Sequence, residues 1–138
     1  MGKHILVVDD EREFQFSAEI ALRRAGYRAE VAGDGMEALA KFAESEQRKD
    51  PFDLVVLDIR MPGMSGVELM DEMSRRGIFV PVFVMTCFVE KGLARELNAR
   101  GCLDVIEKPF PPQELVSRIA DLFSRFQDQG ISYNSAAE

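Results

Sequence analysis

The sequence predicts an α/β fold: a doubly wound, five-stranded parallel sheet in the order 2-1-3-4-5, covered by five helices. Three observations carry this. Five short, β-branched apolar runs alternate with five longer stretches that read as helices. The connections between them are short, as in a parallel sheet with helices on both faces. The first, third and fourth runs are almost uniformly apolar, whereas the second and fifth carry polar positions, which puts those two at the edges. Right-handed crossovers then make 2-1-3-4-5 the natural order.

Strand 1 is 4–8 (His-Ile-Leu-Val-Val), and helix 1, about 11–25, sets Phe14, Ala18, Ala21, Leu22 and Ala25 on one stripe before Gly26 stops it. Strand 2 is 28–32 (Arg-Ala-Glu-Val-Ala). Helix 2 opens at Asp34 with Glu37 three residues on, the spacing of a capping box. Strand 3 is 53–57 (Asp-Leu-Val-Val-Leu), and helix 3 repeats the box with Ser65 and Glu68, ending before Gly77. Strand 4 is 81–86. Helix 4, about 90–99, is the weakest, with Gly92 inside it and only Leu93 and Leu97 large and apolar. Strand 5 is 103–107. Helix 5 starts at Pro111-Pro112, where proline suits a first turn, and repeats Leu115, Ile119, Leu122 and Phe126 on one face. This is the flavodoxin-like arrangement, expected over residues 1–126. Residues 127–138 show no periodicity and read as a tail or the start of a linker.

With 138 residues and 46% hydrophobic side chains, the chain fits one domain with a real core. No run approaches the roughly 18 apolar residues of a membrane helix. The N-terminal apolar run is too short for a signal peptide and is followed directly by two acids, so a cytoplasmic location is expected. A net charge of −7 argues against direct nucleic-acid binding, which wants a basic face. Cys87 and Cys102 match no zinc or CxxC pattern and are expected to be small buried thiols.

In a parallel sheet the strand C-termini share one edge, and ligands bind there. On that edge strand 1 ends in Asp9-Asp10, strand 3 in Asp58, strand 4 in Thr86 and strand 5 at Lys108. Three carboxylates in one crevice either rise in pKa or hold a cation. All-oxygen ligation with few carboxylates suits Mg²⁺. Capping of helix 1 accounts for Asp9, Asp10 and Glu11 but not for Asp58 or for the lysine opposite it. A hydroxyl and an ammonium facing carboxylates and a metal ion make a phosphoryl site, with Asp58 the best-placed nucleophile.

The set Val8-Asp9-Asp10-Glu11, Leu57-Asp58 through Ser65-Gly66, Met85-Thr86 and Gly101…Glu107-Lys108-Pro109-Phe110 resembles the receiver domain of two-component response regulators over about residues 3–126. The resemblance implies that Asp58 is the phosphoacceptor and that Asp9 and Asp10 hold Mg²⁺ together with Asp58 and the carbonyl of Arg60. It implies that Thr86 follows the phosphoryl group, that Lys108 pairs with it and that the Lys108–Pro109 bond is cis. The donor it implies is a sensor histidine kinase, a phosphotransfer protein or a small acyl phosphate. The output is a changed helix 4–strand 5–helix 5 surface acting on an effector domain or a second copy. Such a protein is no enzyme on a separate substrate; it catalyses its own phosphorylation and dephosphorylation.

Two departures stand out. Receivers usually carry Tyr or Phe three residues before the lysine, and here that switch position is Val105, so Thr86 has to move the strand 4–helix 4 loop by another route. Phe88, bulky and two after Thr86, sits with Arg60 where family members tune water access, which predicts a slowly hydrolysed acyl phosphate. The run Gly33-Asp34-Gly35-Met36-Glu37-Ala38 has a dinucleotide-like spacing, but it follows an edge strand and reads as a tight turn. His4, at about 3.3 Å per residue, lies roughly 16 Å from Asp9 and cannot serve the site. Val116 and Phe123 widen the apolar face of helix 5, for the core or for a partner. The alternative functions are a pseudo-receiver that binds a partner constitutively and an Asp-nucleophile phosphatase. Asp58-Ile59-Arg60 lacks the second acid of that phosphatase pattern.

Overall fold

The computed structural model describes residues 2–129 of the chain. Its elements are β1 (His4–Val8), α1 (Arg12–Arg24), β2 (Arg28–Ala32), α2 (Gly35–Gln47), β3 (Leu54–Asp58), α3 (Gly66–Arg75), β4 (Val82–Thr86), α4 (Leu93–Ala99), β5 (Asp104–Glu107) and α5 (Pro112–Gln129). The sheet is parallel throughout, in the order β2-β1-β3-β4-β5. The polar second and fifth runs form its edges, as expected.

Strand alternation divides the core into two layers. Leu6, Val8, Val55, Leu57, Val82 and Val84 point to one face, where α2, α3 and α4 cover them with Leu39, Phe42, Leu69, Met73, Leu93 and Leu97. Ile5, Val7, Leu54, Val56, Phe83, Met85 and Ile106 point to the other, against Ala18 and Leu22 of α1 and Leu115, Ile119 and Leu122 of α5. Every residue of β1, β3 and β4 is buried, because a central strand has helices on both sides. Each large side chain sealed this way contributes about 1.5–3 kcal/mol relative to exposure. Val116 and Phe123 are partly buried against the second layer, so the broad face of α5 serves the core.

The helix starts follow local chemistry. The Asp34 side chain accepts from the Glu37 N–H, while the Glu37 carboxylate accepts from the Gly33 N–H, one residue before the cap. Ser65 and Glu68 close a full capping box. Helix α4 begins at Leu93, not near 90. Gly92 has φ +89°, a left-handed conformation that a helix cannot contain, and Leu93 starts the helix after it. The expected domain limit at 126 falls inside α5, which continues to Gln129; residues 130–138 of the expected tail lie outside the described residues. Among the described residues no helix is long and apolar enough to cross a membrane. Cys102 is half-buried, whereas Cys87 is exposed at the end of β4, which corrects the expectation of two buried thiols.

Candidate functional site

Ladder hydrogen bonds carry the strand ends to a common rim. Asp9 N–H donates to the Ala32 carbonyl at 3.1 Å, Ile59 N–H to Met85 at 3.0 Å and Lys108 N–H to Thr86 at 2.7 Å. Asp9, Asp58, Thr86 and Lys108 are thereby held on backbone that the sheet fixes. Asp9 and Thr86 are fully buried and Asp58 is 4% exposed, while Asp10 faces solvent.

The two buried carboxylates are held alike. Asp9 Oδ1 accepts from the Glu11 N–H at 2.9 Å and Asp58 Oδ1 from the Arg60 N–H at 3.0 Å, each two residues on. Lys108 Nζ bridges the other two oxygens, bonding Asp9 Oδ2 and lying 3.3 Å from Asp58 Oδ2. Its ammonium also lies 3.7 Å from Glu11 and 4.4 Å from the Phe14 ring centroid. Burial works against the Lys108 ammonium, but its bond to Asp9 and the charges of Asp9 and Asp58 outweigh it and raise its pKa. Burial, reinforced by the Asp9 charge, raises Asp58 despite the Arg60 N–H and Lys108.

Asp9, Asp10 and Asp58 each offer an oxygen, and the three oxygens lie within 4.8 Å of one another. This donor set is all hard oxygen, partly open to water through Asp10, and fits Mg²⁺. A single lysine shared by several carboxylates leaves room for more positive charge.

The structure therefore brings together Asp9, Asp10, Asp58 and Lys108. The Thr86 side chain is turned elsewhere: its hydroxyl donates to the Phe88 carbonyl at 3.0 Å and accepts from the Phe88 N–H at 3.3 Å. Arg60 presents its backbone to Asp58 but its guanidinium to Glu90 and the Phe88 ring. Val105 is half-buried opposite Val84 on the edge strand, with no ring to reorient. The Lys108–Pro109 bond is cis. His4 is far along β1, its Nε2 2.7 Å from Glu30 and its ring stacked on Phe52.

Three contributors escape sequence reasoning. Gln15 donates to the Asp9 carbonyl at 2.5 Å. Phe14, read as part of the core stripe, also underlies Lys108. Glu90, read as the start of a helix, reaches Arg60 across two loops. Gln15 lies one turn into helix 1 and could have been found from that spacing; no pattern announces the other two.

Residues 5–120 match the family described as response regulator receiver domain. The chain is 37% identical over 128 residues to the alkaline phosphatase synthesis transcriptional regulatory protein PhoP of Bacillus subtilis, covering 91% of this chain and 50% of that one. It thus spans about half the length of the curated relatives it matches. Among solved structures, the chemotaxis protein CheY4 of Vibrio cholerae superposes with a TM-score of 0.77 at 30% identity, covering 88% of this chain and 98% of that one. The response regulator TrrA of Thermotoga maritima, solved in complex with Mg²⁺–BeF, gives 0.71 at 32% identity, covering 87% and 98%.

Proposed function

The chain belongs to the response regulator receiver domain family, and from that membership we propose that Asp58 accepts a phosphoryl group in a Mg²⁺-dependent reaction that switches the protein on. The observation that carries the reading is the gathering of Asp9, Asp10, Asp58 and Lys108 at one sheet rim, with Lys108 bonded to both buried carboxylates.

In this reading an Asp58 carboxylate oxygen attacks the donor phosphorus. The P–N bond of a phosphohistidine, or the P–O bond of a small acyl phosphate, breaks and the leaving group takes the electron pair. Hydrolysis returns the carboxylate and inorganic phosphate when water attacks the same phosphorus. Asp9, Asp10, Asp58 and the Arg60 carbonyl would hold Mg²⁺, which when bound offsets charge on the transferring oxygens. Lys108, its ammonium preserved by its acidic neighbours, pairs with a phosphoryl oxygen. The Thr86 hydroxyl has to leave Phe88 to reach that oxygen, and that movement carries the β4–α4 loop with it. The α4–β5–α5 surface then changes toward an effector domain or a second copy, and a sensor kinase or phosphotransfer protein supplies the phosphoryl group.

The test is intact mass after treatment with acetyl phosphate and Mg²⁺. One phosphate on the wild type and none on Asp58→Ala is expected. No adduct on either protein would move the balance to a constitutive binding module. Turnover of a separate phosphoester without an adduct would indicate a phosphatase.

A further inference from the structure

Thr86 has to move its loop without an aromatic partner at 105, and the structure contains a second connection between that loop and the Asp58 rim. The Arg60 guanidinium is ion-paired to Glu90 and lies 5.8 Å from the Phe88 ring centroid. Residues 86–90 are thus tied twice, internally through the Thr86 hydroxyl to Phe88 and externally through Glu90 to Arg60. Arg60 is itself anchored beside the acceptor, because its N–H donates to Asp58 Oδ1. Both charged side chains are more than half exposed, at 53% and 60%, so their pairing is weak and readily exchanged.

A phosphoryl group carries about −1.5 to −2 charge and three strong acceptor oxygens, against −1 on Glu90. A guanidinium fork suits such oxygens well. Two anions then compete for one cation that sits two residues from the reacting carboxylate. We propose that Arg60 and Glu90 form a charge latch on the β4–α4 loop: a phosphoryl group on Asp58 draws Arg60 from Glu90, and the freed loop follows Thr86. Both are positioning residues, and the inference rests on Asp58 being the acceptor.

The experiment uses the full chain with Mg²⁺ and beryllium fluoride as the phosphoryl probe. Amide NMR of residues 86–92 and the probe dissociation constant are measured for wild type, Glu90→Gln, Arg60→Gln and the double variant. Removing the competing anion is expected to tighten probe binding by up to about fivefold, the range set by an exposed ion pair. It should also shift the probe-free loop signals toward their probe-bound positions. In the Arg60→Gln background the Glu90→Gln change should do neither, an outcome that a merely structural Glu90 could not produce. Equal affinity and unmoved loop signals in wild type and Glu90→Gln overturn the latch while leaving Asp58 as acceptor. Persistence of the full Glu90→Gln effect without Arg60 overturns it too. Failure of the wild type to bind the probe overturns both readings together.

Discussion

Lys108 shows how one side chain can offset part of the charge at a crowded rim. Two buried carboxylates share its ammonium, and leaving either unpaired in that environment would cost several kcal/mol, about 3–5 for a broken buried pair. Phe88 is the opposite kind of residue. It is 59% exposed, and its ring centroid lies 5.8 Å from the Arg60 guanidinium, two residues along the chain from Thr86. Where Asp58 is the phosphoacceptor, a bulky apolar group at this position is expected to hinder water from approaching the acyl phosphate. Once phosphorylated with acetyl phosphate, Phe88→Ala is expected to lose its phosphate several-fold faster than the wild type, followed by intact mass against time. A shorter wild-type half-life would contradict the shielding. At this scale the acids and Lys108 were legible because strand ends dictate where they lie. The Thr86 hydroxyl was legible in position only: its direction depends on how residues 87–90 fold back, which no periodicity encodes. Phe14 and Glu90 were hidden for the same reason, since one packs in two directions and the other acts through a loop.

At the scale of elements, the join between β3 and α3 sets the position of Asp58. The Gly66 N–H donates to the Ile59 carbonyl at 2.9 Å, and helix α3 starts directly under the end of the strand. A Cβ on Gly66 would lie 2.7 Å from the Asp58 carbonyl oxygen and 2.8 Å from Ile59 Cα, both backbone and unable to yield locally. Gly66→Ala should therefore push helix and strand apart, destabilising the fold by about 1–3 kcal/mol in urea titration and lowering the acetyl phosphate adduct yield. Normal stability together with a normal yield would show that the join relaxes freely. Ser65 and Glu68 announced the start of this helix because capping is local chemistry. The start of α4 was misread because Gly92 was counted as a weak helical residue, whereas its positive φ places it before the first turn, at the N-cap.

For the whole molecule, charge is arranged with opposite consequences at the two ends of the sheet. The strand order and both core layers were legible because burial on two faces forces uniformly apolar strands. How the acids pair was not, because it depends on register: His4 lies opposite Arg28, which places Glu30 within 2.7 Å of the His4 ring. Burial acts to raise the Glu30 carboxyl, but hydrogen bonds from His4 and Lys41 overcome it and its pKa is lowered. A lowered carboxyl gives stability that is full above its unfolded value, about 4.3, and is lost as pH falls through the folded value. Asp58 is raised, chiefly by burial, so its charged form costs stability at neutral pH and that cost fades as pH falls through its folded value. Urea unfolding without Mg²⁺ at pH 7 and pH 4 separates the two. Glu30→Gln should lose about 0.5–1 kcal/mol at pH 7, the scale of a partly exposed ion pair, and less at pH 4. Asp58→Asn should be more stable than the wild type at pH 7, with the difference shrinking at pH 4. Added Mg²⁺ should close the same gap at pH 7 by stabilising the wild type more than the variant, because the cation and the Asn substitution relieve the same repulsion. If Asp58→Asn were less stable than the wild type at pH 7 without Mg²⁺, Lys108 alone would balance the carboxylates and the electrostatic case for a metal at this rim would fail.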